Sequence, residues 1–217
     1  MKHNRLSVFV LAAGCAFAAL PLAAQDSQNW SVTAFGGFGL YHPVSLTSPS
    51  GGATAAPGSR IVLGAFVGRR LTDRFTVEAG WTYQDGDFQI MSGPTKTAFD
   101  ADSDAFHAGL LYYLRSSSNR LRPYLVGSVG AKLYHGTETP SPRPLEQFAI
   151  FHDGFVAEPL MTYGGGLEYS FTHRWAVRLD LRDYTTPFPT GSITPSPGVS
   201  VGGWMHDFVP TIGVVFR

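Results

Sequence analysis

The 217-residue chain carries sixteen Lys and Arg against sixteen Asp and Glu, and charged residues make up only 15% of it. That balance leaves no basic footprint for nucleic acid, and a single cysteine, Cys15, excludes a disulfide framework. The length allows one or two domains, but no linker or break in composition divides the chain.

At the amino terminus, Lys2 and Arg5 precede an apolar run over residues 6–20, followed by the small Ala23 and Ala24 and the polar Gln25 and Asp26. This order predicts a secretory signal peptide over residues 1–24, removed on export. A membrane helix needs about 20 uninterrupted apolar residues, and this run is shorter and stops at Pro21. Leu22 is large for its place before a cut after Ala24, so a cut after Gln25, with Ala23 in that place, competes. Residues 12–15 loosely resemble a lipoprotein processing site, but cutting there would leave an apolar stretch at the head of the mature chain. Residues 25–217 are the predicted barrel domain, with 14 basic and 16 acidic residues and no cysteine for a disulfide or thiolate metal site.

Beyond residue 25 the pattern is alternation of period two. The clearest stretch puts Phe75, Val77, Ala79, Trp81 and Tyr83 on one face and Thr76, Glu78, Gly80 and Thr82 on the other. Strands are expected over 30–41, 60–70, 74–85, 103–114, 122–134, 160–171, 174–184 and 205–217, mostly near the length of about 9–11 residues that a tilted strand needs to cross a bilayer. The connectors alternate. Long ones rich in Gly, Pro, Ser and Thr cover 42–59, 86–102, 135–159 and 185–204, and short ones cover 71–73, 115–121 and 172–173. Such asymmetry marks membrane barrels with short periplasmic turns and long external loops. The expected fold is all-β: a closed antiparallel up-and-down transmembrane β-barrel of about eight strands. An extra hairpin near residues 146–155 would make ten.

Charges fall opposite the apolar stripe. Glu78, Lys132, Glu168, Arg178, Asp180 and Arg182 all alternate with apolar neighbours, and facing lipid an Arg or Lys would cost about 2–4 kcal/mol near the midplane. They are therefore placed in the lumen, where opposite signs can pair. An eight-stranded barrel is only just wide enough for its own side chains, so these charges are expected to plug it rather than line a path. Aromatic residues near strand ends suggest girdles at the two interfaces: Trp30 with Tyr41, Phe75 with Tyr83, Trp175 with Tyr184. Tyr124 and Tyr134 share the face of Lys132 and read as lumen or rim residues.

The run Tyr163-Gly164-Gly165-Gly166-Leu167-Glu168 to Phe171, the tight turn to Trp175 through Asp180, and the closing Gly213-Val214-Val215-Phe216 resemble the small outer-membrane barrels of the OmpA-like and OmpX-like type. The resemblance implies an outer-membrane location, lipid as the surrounding partner, and periplasmic chaperones and the barrel-assembly machinery during biogenesis. It also implies an assembly signal at Gly213 and Phe216, although Arg217 follows the terminal aromatic that family members usually end on.

No chemistry is expected. The lipid A deacylase family carries His, one residue, then Ser, and no histidine here is followed that way; His152 with Asp153 and His206 with Asp207 read as solvated pairs. No metal-ligand spacing and no phosphate-binding glycine loop are present, so no catalytic residue, metal or cofactor is assigned. Two functions remain: a structural or surface-interaction barrel with a plugged lumen, or a narrow channel or carrier for small apolar molecules. The second would need an apolar mouth, which Phe88, Ile90, Phe148, Phe151 and Phe155 could line unless they pack on one another. A monomer is expected, because a closed barrel has no free edge.

Overall fold

The computed structural model describes residues 29–49, 51–58, 61–137 and 144–217. The expected signal segment lies outside these residues, as does Arg60. Sixteen strands follow in chain order: β1 (Trp30–Phe38), β2 (Leu40–His42), β3 (Val44–Ser48), β4 (Gly51–Pro57), β5 (Ile61–Arg70), β6 (Phe75–Asp85), β7 (Phe88–Ser92), β8 (Thr95–Phe99), β9 (Ala101–Tyr113), β10 (Leu121–Gly136), β11 (Ala149–Phe151), β12 (Gly154–Ser170), β13 (Trp175–Thr186), β14 (Ile193–Pro195), β15 (Ser200–Gly202) and β16 (Met205–Phe216).

Eight of them close a barrel in the order β1-β5-β6-β9-β10-β12-β13-β16, with β16 returning to β1. All of these pairings are antiparallel and, the β16–β1 closure apart, join barrel strands that follow one another along the chain, which is the expected up-and-down topology. Strand β2 extends β1 along β16. The ladder breaks only between Gly37 and Leu40, opposite Pro210, whose carbonyl faces Gly37. Pro210 lacks an N–H, and that missing donor falls on the β1 side, while pairing with β13 runs unbroken through Leu181.

The registers fix the shape. Stepping across neighbours from Val32 to Val67, Ala79, Ala108, Val129, Met161, Thr185 and His206 leads back to His42. One circuit therefore climbs ten residues. With a rise of about 3.3 Å per residue and strands about 4.8 Å apart, that climb tilts the strands by roughly 40°. A strand of ten residues then spans roughly 25 Å along the barrel axis, the height of an outer-membrane apolar band.

Alternation sorts the two faces. Leu63, Val67, Val77, Leu110, Leu125, Val129, Leu167, Leu179 and Val214 are exposed on the outside, while Phe35, Phe66, Ala105, Leu111, Val209 and Val215 are buried inside. Turns at one end are short and alike. Thr72 Oγ1 accepts from the backbone N–H groups of Arg74 and Phe75 at 3.3 and 3.1 Å, and Thr172 Oγ1 accepts from those of Arg174 and Trp175 at 3.2 and 2.9 Å.

The opposite end departs from expectation, because the long connectors are not open loops. β15, β3, β4, β7 and β8 form a five-stranded sheet in that order, and β11 pairs with β14. The hairpin expected near residues 146–155 does not form: the short strand there, β11, pairs with the remote β14, and the barrel keeps eight strands. The cap has its own core: Val44, Leu46, Phe88, Ile90, Phe99, Phe148, Phe151 and Ile193 pack over the mouth with Tyr134 and Met205 from the barrel rim.

Candidate functional site

The lumen is stacked in three polar layers. Nearest the short turns, Glu168 on β12 is bound by Arg122 at 3.5 Å, by the Tyr113 hydroxyl at 3.0 Å and by Arg217. Arg122 also donates to the Asp73 carbonyl at 3.0 Å and lies over the Tyr113 ring at 3.7 Å.

The middle layer holds four charges. Arg178 reaches Glu78 across the lumen at 2.5 Å and Asp180 on its own strand at 2.6 Å; Arg182 reaches the same two carboxylates at 2.8 and 3.1 Å. Strand geometry explains the set, since residues two apart on β13 share a face and Asp180 sits between the two guanidinium groups. Both cations lie against the Phe66 ring, and Arg178 also lies against that of Tyr124. All four charged side chains are at most 4% exposed. Gly80 and Gly166 make the room: a Cβ at Gly80 would strike the Phe66 ring and one at Gly166 the Tyr124 ring.

Beneath the cap, Lys132 binds Asp207 at 3.3 Å and also donates to Gln84, whose amide donates to Asp207 at 2.6 Å. Tyr41 donates to Gln84 at 2.9 Å, and Tyr134 bonds Thr186 at 2.8 Å. Thr82 and Tyr184 bridge this layer to the middle one at 3.1 Å.

All six charges singled out in the sequence point inward, but they occupy different layers. Glu78, Arg178, Asp180 and Arg182 meet one another, whereas Glu168 and Lys132 take partners that the sequence reading passed over: Arg122, Arg217, Asp207 and Gln84. Parity was the available signal, since Arg122 shares the face of Lys132 on β10 and Asp207 that of Gly213 on β16.

Of the six interface aromatics, Trp30, Phe75 and Trp175 are exposed on the outside and Tyr83 lies half-buried on the same outer face. Tyr41 and Tyr184 are corrected. Both turn into the lumen, because Tyr184 shares the face of Arg178, Asp180 and Arg182, and Tyr41 that of Phe35. Gly213 lies opposite Arg178 and Phe35, and Phe216 packs on Trp175 at 4.9 Å between ring centres. His206 does not pair with Asp207; its Nδ1 lies 2.7 Å from Asp183. The suspected mouth aromatics divide: Phe88, Ile90, Phe148 and Phe151 are buried in the cap core, and Phe155 stays 58% exposed beside His135. Among the described residues no cluster of three His, Cys, Asp or Glu is placed to hold a metal ion.

The model of the outer membrane protein beta-barrel domain matches residues 9–196. No curated protein matches the chain. Among solved structures, Neisserial surface protein A is similar at 14% identity with a TM-score of 0.55, over 87% of this chain and 96% of that one. The outer membrane protein OprG from Pseudomonas aeruginosa is similar at 16% identity and a TM-score of 0.54, over 87% and 96%. AlkL, solved in lipid bilayers, is similar at 18% and 0.52, over 87% and 90%. Likeness at these identities is a likeness of fold.

Proposed function

This chain belongs to the outer membrane protein beta-barrel domain family, and from that premise we propose that it is a non-conducting scaffold of the outer membrane that carries a folded cap to the cell surface for interaction. The observation that carries this reading is the middle layer of the lumen, where two arginines and two carboxylates bind one another across the barrel. Buried charges this well paired are held in place, because parting any of them strands a charge away from water. The layer acts as a structural plug, and the cap core seals the mouth above it. A carrier for apolar molecules would need open apolar surface at that mouth, and four of the five candidate side chains are instead packed on one another. The surrounding partner is outer-membrane lipid, which meets the apolar band, and the protein is a monomer in the membrane, since the eight barrel strands leave no free edge there.

The surface role and the carrier role separate in one comparison. Cells displaying the full protein are set beside cells displaying a barrel whose connectors 43–58, 86–100, 137–153 and 187–203 are cut to short turns. Adhesion to surfaces and to other cells is expected to fall in the cut form, with sensitivity to small apolar toxicants the same in cells with the full protein and cells without it. If the full protein raises that sensitivity and the cut form leaves adhesion unchanged, the protein is a carrier.

A further inference from the structure

The lipid-facing surface carries opposite charge at its two ends. Eight of the ten described arginines sit at or beyond the short-turn ends of the strands, where the described side-chain acids are Asp73 and Glu168. Arg122 and Arg217 turn inward to Glu168. Arg70 shares the lumen face at this end, and the other five turn outward or lie on the turns. Arg69 rests over the exposed Trp30 ring at 5.5 Å, Arg74 donates to the Tyr112 hydroxyl at 3.5 Å, and Arg174 is exposed immediately before Trp175. At the cap end the outer face is acidic instead. Asp104 accepts from Trp81 at 2.7 Å, Asp183 from the Tyr163 hydroxyl at 2.7 Å, and Asp102 lies 2.8 Å from His135. The described lysines lie elsewhere, Lys132 in the lumen and Lys96 on the cap strand β8.

We infer that the short-turn rim is a phosphate collar that holds anionic phospholipid headgroups of the periplasm-facing leaflet. The inference rests on the outer-membrane reading above, since short turns face the periplasm in such barrels. Each element of the collar suits a lipid phosphate. Trp and Tyr rings settle at headgroup depth, so an arginine resting on Trp30 or bonded to Tyr112 is held at the level of the phosphates. A guanidinium group offers a planar fork that matches two phosphate oxygens. Clustered cations beside a membrane attract anionic lipid over distances near the Debye length. Among the described residues the two acids at this end are engaged elsewhere: Glu168 is buried among inward partners, and Asp73 accepts from Ser117 at 2.9 Å.

The test is lipid retention by the folded mature protein. It is inserted into vesicles of about four parts phosphatidylcholine to one of phosphatidylglycerol, extracted gently, and its bound lipids weighed by native mass spectrometry. Wild type is expected to keep phosphatidylglycerol several-fold above its share of the vesicle. Arg69→Gln, Arg74→Gln and Arg174→Gln together are expected to return the bound lipid to the vesicle composition, while Lys96→Gln on the cap leaves the enrichment intact. Wild-type lipid that mirrors the vesicle overturns the collar, as does an enrichment that the triple variant keeps or that Lys96→Gln also abolishes. Heat-modifiable migration of each protein is read alongside; a wild type that never inserts contradicts the barrel reading itself rather than the collar.

Discussion

Glu78→Ala is expected to destabilise the folded barrel by about 3–5 kcal/mol, the usual result of breaking a buried ion pair from one side. Glu78 is the one carboxylate of the middle layer that reaches across the lumen, and it serves Arg178 at 2.5 Å and Arg182 at 2.8 Å. Without it, two guanidinium groups share Asp180 alone, each at most 4% exposed and fixed against Phe66. Reversible urea unfolding in lipid vesicles measures the loss. The same titration on Glu78→Ala with Arg178→Met should recover part of it, because the double change removes one stranded cation along with its partner. A loss below about 1 kcal/mol for Glu78→Ala would mean that water reaches this layer freely and screens the charges.

Phe88→Ala is expected to cost a similar amount in a different place. Phe88 is 1% exposed at the start of β7 and packs on Tyr134 of the barrel rim, with ring centres 5.9 Å apart. Truncating a buried phenylalanine costs about 3–5 kcal/mol through lost contact and the cavity left behind. The cap is a smaller unit than the barrel, so the loss should appear as local opening. Amide exchange in β3, β4 and β7 is expected to speed up on the order of a hundredfold or more, with β10 and β12 in the membrane unchanged. Acceleration spread evenly over cap and barrel would show that the two unfold as one.

These two sites differ in how far the sequence reveals them. Period-two alternation is a property of neighbouring residues, so the eight crossing strands and the inward set of Glu78, Arg178, Asp180 and Arg182 can be read from the chain. The same rule also places Tyr184 with Arg182, and proximity to a strand end was the weaker guide to it. Tyr41 repeats that lesson, because its parity with Phe35 outweighs its position near an expected interface. Partner choice within the lumen is less legible. It depends on registers summed around the barrel, which bring Lys132 on β10 to Asp207 on β16 and Glu78 on β6 to two arginines on β13.

The cap was hidden for a related reason. Its strands are short, so the alternation some of them show, Val44 with Leu46 on β3 and Phe88 with Ile90 on β7, is too brief to stand out from a loop, and their partners are remote. Ser200 of β15 donates to the Thr47 carbonyl of β3 across 153 residues of chain at 3.3 Å. Nothing local in 42–59 or 185–204 announces that pairing. Pro210 shows the reverse case: a residue that reads as a fault in the last strand falls where the ladder to β1 is already open.

Single-channel recording of the folded mature protein in planar bilayers tests the closed lumen most directly, with Glu78→Gln plus Arg178→Gln beside the wild type. Wild type in a preparation shown to be inserted is expected to stay silent, with brief openings confined to the variant whose middle layer has lost its cross-lumen pair. Discrete wild-type openings whose size or ion selectivity shifts in the variant would contradict the account and make the charged layers the lining of a conducting path.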